Sequence, residues 1–346
     1  MYFCIKIQSF QTIKKMHLTL YRKLKINHLW SLIIWIFLFF NACEQQSKKE
    51  VAIEALDVVI EIDRFDRKFH NAGPEEIPNL KSQYPFLFPQ QFEDSIWIKR
   101  QKDSLQLLLQ TAVEAKYPGL GTMEHNLSDL FKHIKYYFPS TKVPQTIGLI
   151  NNVDYQSKAI YTDSLLLISL DTYLGKEHEL YEGIPNYVRK QMDAAYLTSH
   201  VAEKFITSRI QEPDNRTFLS QLIYYGKIEY IKALLLPEVA EAIRLGFSEV
   251  ELQWTLENQK YIWQYFIEKQ FLYSTDPALT QRFLAPAPFS KFYLEIDNET
   301  PGRIGIWLGS QIVNAYVSKN PQISPEELLA LPALTLFQQS NYKPSR

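Results

Sequence analysis

The sequence has only two cysteines, Cys4 and Cys43, among its 346 residues. We expect Cys4 to be removed with a cleaved leader and Cys43 to carry lipid, so neither is left to form a disulfide. An excess of charge of one sign is also lacking, because the formal net charge is −1. Proteins that bind nucleic acid concentrate lysine and arginine on one face, so the balanced composition argues against nucleic acid as a partner.

The motifs of common hydrolases and nucleotide-binding proteins are also missing. None of the seven histidines belongs to the His-Glu-x-x-His pair with which many zinc hydrolases hold their ion. The sequence has no Gly-x-Ser-x-Gly elbow for a nucleophilic serine and no glycine-rich phosphate loop. His200 and Glu203 lie one turn apart on a predicted helix but lack the second histidine of such a motif, so an ordinary structural role is favoured over metal binding. We therefore predict no metal, no cofactor and no catalytic residue.

The chain begins with the pattern of a bacterial lipoprotein leader. A basic cluster at residues 22–25 precedes an almost wholly apolar run over residues 30–40, which is shorter than the roughly 20 residues needed to span a bilayer. Small Ala42 then precedes Cys43, which suits lipid transfer to the thiol and cleavage before it. The predicted parts are a signal peptide over residues 1–42, a lipidated cysteine with a polar, flexible tether over residues 43–52, and a globular domain over residues 53–346.

This leader predicts a location in the cell envelope, with the chain anchored in a membrane by acyl chains. We assign the outer membrane, and the sequence leaves open whether the domain faces the periplasm or the medium. The segment before Trp30 is long for a leader, and Met16 is therefore an alternative start that gives a more usual length.

Hydrophobic periodicity predicts a small sheet in the first half of the domain. Residues 58–65 alternate as a strand does, and residues 146–150 and 158–170 form a second strand region whose two parts are predicted to be antiparallel. Residues 165–168 are apolar on both faces, as in a central strand. The rest of the domain is mainly helical. We predict an α+β fold, namely a helix-dominated single domain with a small sheet.

Several helices are predicted from caps and apolar stripes. Asp103 is a predicted N-cap, and capping boxes begin at Ser248 and Ser324. Two stripes are predicted to be buried. They comprise Leu105, Leu108, Leu109 and Ala112 in one helix and Leu127, Leu130, Phe131, Ile134 and Phe138 in the next.

Two glycines lie one turn apart in a predicted helix over residues 303–317. Gly305 and Gly309 each cost helix stability, roughly 1 kcal/mol, so something is expected to approach the backbone closely there. A neighbouring helix is the favoured occupant, and a groove for a ligand or partner is the alternative.

An acidic run precedes that helix. Glu295, Asp297 and Glu299 alternate, so an extended chain would place their carboxylates on one side, where they would bind a hard cation such as calcium or engage Arg303. The competing and favoured interpretation is a turn over residues 297–301 that starts the following helix.

Five segments of the chain are long and unusual, namely residues 131–139 (FKHIKYYFP), 160–164 (IYTDS), 173–175 (YLG), 224–227 (YYGK) and 287–299 (APFSKFYLEIDNE). They resemble the gliding-motility lipoprotein GldB family, and the resemblance covers essentially the whole mature chain. The resemblance implies a lipoprotein of Bacteroidota-type bacteria that is needed for movement over surfaces, a process tied to type IX secretion. It implies no known catalytic activity.

A fainter resemblance links residues 301–313 (PGRIGIWLGSQIV) to the end of a family of predicted zinc proteases. Those relatives carry His-Glu-x-x-His, which this chain lacks. The resemblance implies a zincin-like shell without its metal site, in which the helix around Glu229 is the remnant of a ligand-bearing element.

The sequence therefore leaves three functions open. The favoured one is a non-enzymatic, lipid-anchored assembly or interaction component of the gliding and secretion machinery, with other envelope proteins as partners. The second is a residual metallohydrolase-like enzyme built from His200, Glu203, Glu229 or the acidic run. The third is a peptide- or glycan-binding module with contacts from Trp254, Tyr261, Trp263 and Tyr265, although Leu252, Leu256, Trp263 and Ile267 already form a predicted core stripe.

Overall fold

The computed structural model describes residues 48–213 and 215–344. The predicted signal peptide, Cys43 and the alternative start at Met16 lie outside these residues. The chain divides into two units, Met1–Ala55 and Leu56–Arg346. The described part of the first unit contains helix α1, Lys48–Glu54. The tether predicted over residues 43–52 is therefore helical from Lys48 onwards, because the stretch is rich in residues with good helix propensity.

The second unit contains the other helices and one sheet. The helices are α2 (Phe65–Asn71), α3 (Ile77–Gln83), α4 (Asp94–Gln101), α5 (Ser104–Lys116), α6 (Gly121–Tyr137), α7 (Asn186–Arg189), α8 (Leu197–Thr207), α9 (Phe218–Leu235), α10 (Glu241–Leu245), α11 (Glu249–Glu268), α12 (Ala278–Phe283), α13 (Ile304–Lys319), α14 (Pro325–Ala330) and α15 (Ala333–Ser340). The strands are β1 (Ile62–Arg64), β2 (Gln145–Leu149), β3 (Ala159–Tyr161) and β4 (Leu165–Ser169). The α+β prediction is confirmed.

The sheet is mixed, with strand order β1-β2-β4-β3. β1 and β4 both run parallel to β2, while β3 pairs antiparallel with β4. The prediction that the two parts of the second strand region are antiparallel is wrong for β2 and β4. The chain reverses between β3 and β4, which returns β4 to the direction of β2. The strand predicted over residues 58–65 is also shorter than expected, since Phe65 already begins α2.

The sheet separates two hydrophobic cores, and β4 contributes to both. Leu166 and Ile168 lie in the larger core, whereas Leu165 and Leu167 pack against a smaller cluster built around α2, α3 and α4. The prediction of a central strand over residues 165–168 is confirmed.

The predicted buried stripes agree with the structure in one helix and not in the other. All five residues of the stripe from Leu127 to Phe138 are buried. In α5 the N-cap Asp103 is confirmed, but Leu105 and Leu108 are exposed. The neighbours of α5, which are α2, α4 and the turn Leu170–Thr172, cover a different face of the helix. That face comprises Gln106, Leu109, Gln110 and Val113.

Helices α9 and α13 make a close crossing at glycine. The nearest neighbours of a Cβ added at Gly309 are backbone atoms of Leu222 and Gly226, and those of a Cβ added at Gly226 are backbone atoms of Gly309 and Ser310. The favoured prediction, that a neighbouring helix approaches the glycines, is confirmed at Gly309. The capping boxes at Ser248 and Ser324 are confirmed as well.

Candidate functional site

Six polar residues from four separate parts of the sequence converge beside β3. His200 and Glu203 lie one turn apart on α8, and α8 packs against both β3 and α9. Helix α9 supplies the second carboxylate and its partner lysine. A lysine just before β3 and an arginine just before α13 complete a group that we call the charged cluster: Lys158, His200, Glu203, Glu229, Lys232 and Arg303. The three residues of the hydrolase hypothesis are therefore close together.

Lys232 bridges the two carboxylates of the charged cluster. Its Nζ lies 2.8 Å from Oε1 of Glu229 and 3.6 Å from Oε2 of Glu203. The side chains of Lys232 and Glu229 are 2% and 6% exposed, while that of Glu203 is 34% exposed. An ammonium therefore lies between the two acidic side chains, and Glu203 marks the side of the cluster that faces solvent.

His200 is held as a neutral ring. Its Nε2 lies 3.4 Å from Oε1 of Gln191, and its Nδ1 lies 3.0 Å from the hydroxyl of buried Tyr173. Because an amide oxygen only accepts, Nε2 carries the proton and Nδ1 accepts from Tyr173. Burial and the nearby charge of Lys158 lower the pKa of His200 well below its usual range. Both ring nitrogens are thus already engaged.

Two other side chains of the charged cluster have strongly perturbed acidity. Burial tends to raise the pKa of Glu203, but the charges of Lys232 and Arg303 outweigh it and bring the pKa to about 2. Burial lowers the pKa of Lys158 to about 8, although the carboxylate of Glu203 opposes this effect. Burial also raises the pKa of Glu229, against the attraction of Lys232.

Arg303 faces the charged cluster rather than the acidic run before it. Its backbone is left-handed, with φ of 62°, and its Nε is buried with no hydrogen-bond partner in the described chain. Arg303 contributes to the low pKa of Glu203. No ion pair with the acidic run forms among the described residues, so the engagement of Arg303 predicted for that run is not found.

The acidic run forms a turn. Asp297 begins a short 3₁₀ turn, and its carboxylate accepts from the backbone amides of Phe292, Tyr293 and Leu294. Glu295 and Glu299 are exposed, and the chain is not extended as a shared cation site requires. Among the residues that the structure describes, no group of three or more acidic, histidine or cysteine side chains is arranged to hold a metal ion. The turn is what the favoured interpretation predicted.

The aromatic residues of α11 form no continuous binding surface. Trp254, Trp263 and Tyr265 pack against the larger core, whereas Tyr261 is exposed. The core stripe predicted for this helix is displaced, because Leu256 and Ile267 are exposed and the buried positions are Thr255, Ile262 and Phe266.

Sequence reasoning had not identified Lys158 and Lys232 as members of the site. A signal existed for Lys232, since it lies three residues after Glu229 in a helix that is otherwise largely apolar. Charged residues in such a helix are expected to pair when they are buried. Lys158 carries no comparable signal, because only the packing of α8 against β3 brings it near Glu203.

The comparisons with known proteins give one match. The family model described as gliding motility protein GldB matches residues 46–344. The chain belongs to the GldB family. The resemblance found in the sequence is thereby confirmed, and the match spans the whole charged cluster. Comparison with curated proteins and with solved structures finds no match. The zincin-like shell implied by the fainter resemblance stays a prediction.

No described helix combines the length and apolar composition that crossing a bilayer requires. GldB family membership makes the chain a gliding motility protein.

Proposed function

We propose that the chain is a lipid-anchored component of the cell envelope that serves gliding motility by binding other proteins of the gliding and type IX secretion machinery. Its own role is assembly or interaction, without catalysis. The family match over residues 46–344 carries the proposal. The apolar run over residues 30–40 and the Ala42-Cys43 pair support the lipid anchor, and we propose the outer membrane as its location.

The chemistry of the charged cluster supports a non-catalytic role. A general base works best when its pKa lies near the working pH, and a carboxylate with a pKa of about 2, such as Glu203, is a weak base. Glu229 is paired with Lys232, and His200 already uses both ring nitrogens. The three residues of the hydrolase hypothesis are therefore committed to contacts within the protein.

Lipid attachment is tested by growing a gliding bacterium that carries the chain with an alkyne-bearing palmitate and detecting label on the purified protein. Cys43→Ala should abolish the label. Cys4→Ala is the matched control, since Cys4 is the only other cysteine, and it should leave labelling unchanged. Label that persists in the Cys43→Ala protein contradicts the lipid anchor.

The non-catalytic role is tested by complementing a deletion strain with Glu203→Gln. This change keeps the shape of the side chain and removes the carboxylate that a hydrolase would need. We expect colony spreading close to that of the wild type, with the thermal transition of the purified variant measured in parallel. A folded variant present at normal level that fails to support spreading would favour the hydrolase instead.

A binding module is a second candidate, and one observation favours it. Lys158 and Arg303 bring two positive charges to the charged cluster, and neither side chain has a hydrogen-bond or ion-pair partner within the described chain. Such a pair suits a peptide carboxylate. Triglycine with a free carboxylate should bind more tightly than its C-terminal amide, and Lys158→Met should remove the difference. Equal binding of acid and amide contradicts this candidate.

A further inference from the structure

A cavity separate from the charged cluster lies at the edge of the sheet. Its volume is about 210 Å³, and it is bounded by residues that follow the ends of β1 and β2 together with residues of α2, α4 and α5. Since β1 and β2 are parallel, both strands end at this edge. The crevice outside the carboxyl ends of parallel strands is where ligands bind in open α/β sheets.

The walls of the cavity are largely aromatic. Phe88 and Trp97 meet edge to face with ring centroids 4.8 Å apart, and Phe65 contacts Phe88 in the same manner at 5.8 Å. An apolar cavity of about 150 Å³ holds a benzene molecule, so a volume of 210 Å³ accommodates an aromatic ring with a few further atoms.

Two residues that line this cavity each have a side-chain polar atom without a hydrogen-bond partner among the described residues. Trp97 is 8% exposed and Gln106 is 4% exposed, yet neither Nε1 of Trp97 nor Oε1 of Gln106 makes a hydrogen bond within the described chain. A buried polar group without a partner costs about 1–3 kcal/mol. One of these atoms is a donor and the other an acceptor, and a molecule that presents the complementary groups would satisfy both.

A half-buried positive charge also lines the cavity. Arg100 on α4 lines it and is half-buried, and its guanidinium forms no ion pair or hydrogen bond in the part of the chain that is described. The lining carboxylate of Asp66 is already paired with Arg64, with Nη2 and Oδ2 2.7 Å apart. The charge of Arg100 also acts at longer range on the buried carboxylate of Asp171. Because no carboxylate of the described residues lies within ion-pair distance of the guanidinium, an anionic group in the cavity would supply a direct partner.

We propose that this cavity binds a small aromatic carboxylate that also carries a hydrogen-bond donor. The ring packs between Phe65, Phe88 and Trp97, and the carboxylate pairs with Arg100. The carboxylate or another ligand oxygen accepts from Nε1 of Trp97, and the donor reaches Oε1 of Gln106. This arrangement combines apolar walls with a few placed polar groups, as small-molecule sites commonly do.

The proposal is tested with 4-hydroxyphenylacetate as the probe and the full chain in detergent solution, by isothermal titration calorimetry and ligand-detected NMR. p-Cresol, which has the ring and hydroxyl but no carboxylate, should bind about ten- to hundredfold more weakly, as expected for loss of a charge-assisted hydrogen bond. Arg100→Ala should weaken binding of 4-hydroxyphenylacetate by the same factor and should not affect p-cresol.

Control variants separate binding from folding. Lys99→Ala removes an exposed charge from the neighbouring position of α4 and should leave binding unchanged. Trp97→Phe keeps an aromatic wall without the N–H group and should weaken binding about threefold to tenfold. Every variant is checked by its thermal transition. Absence of binding to the wild type, or equal binding of the two probes, overturns the proposal.

Discussion

Replacing Gly309 by alanine should force α9 and α13 apart. An added Cβ would lie 2.8 Å from the carbonyl carbon of Leu222, nearer still to its oxygen, and 3.2 Å from the amide nitrogen of Gly226. All three are backbone atoms, so no side-chain rotation relieves the clash. Bringing the carbonyl carbon to an ordinary contact of 3.4 Å requires the helices to separate by about 0.6 Å, and the nearer oxygen makes this a lower bound. A gap of about 0.5–1 Å forfeits a quarter to a half of the dispersion energy of each contact.

The expected loss is about 3 kcal/mol in the free energy of unfolding. Overpacking of a close-packed core typically costs about 1–3 kcal/mol, and we expect the upper end because both obstacles are backbone. The better helix propensity of alanine, about 1 kcal/mol, offsets part of a larger gross cost. For a domain of this size the loss corresponds to a fall of about 6 °C in the melting temperature.

Urea denaturation and calorimetry of the purified chain measure this loss. Gly121→Ala is the matched control, because Gly121 begins α6 and an added Cβ there meets no atom within 4 Å. This control should be neutral or stabilising by up to about 1 kcal/mol. The double variant of Gly226 and Gly309 should lose less than the sum of its single variants, since both clashes are relieved by one displacement. A Gly309→Ala chain at least as stable as the wild type would refute the reasoning.

Three further predictions concern the charged cluster. Lys232→Met leaves Glu229 buried without its partner and should lower the free energy of unfolding, measured by urea denaturation, by about 3–5 kcal/mol. Adding Glu229→Gln should recover more than half of that loss. Equal losses in the single and double variants contradict the buried pair. After reductive methylation with ¹³C-formaldehyde, the NMR signal of Lys158 should titrate near pH 8. Glu203→Gln should lower the pKa of Lys158 further, because it removes a favourable negative charge. An unchanged titration of Lys158 in this variant contradicts the proximity of the two side chains. The folded-state pKa of Glu203 is about 2 and its ordinary value is 4.5, so its stabilising effect is present above pH 4.5 and is lost as the pH falls towards 2. Acid titration followed by circular dichroism should therefore show a shallower loss of stability over that range in Glu203→Gln. An acid-unfolding profile equal to that of the wild type counts against the low pKa.

The strong, one-sided patterns of the sequence predicted local structure well. The stripe from Leu127 to Phe138 has a single apolar face and is buried, and β4 is apolar on both faces and lies inside the sheet. In α5 and α11 apolar residues occur on more than one face, so periodicity alone allows more than one orientation. The neighbours of α5 cover the face that contains Gln106 and leave Leu108 exposed. This explains why the polar lining of the aromatic cavity could not be foreseen.

The sequence by itself determined the family, the α+β class, the helix caps and the close approach at Gly309, because each depends on short stretches of chain with one favoured physical solution. It also named His200, Glu203 and Glu229 as possible partners. Only the tertiary structure decided that Lys232 lies between the two carboxylates and that Lys158 and Arg303 act on the same group. Electrostatic interactions depend on distance through space, and the packing of α8 against α9 and β3 sets those distances.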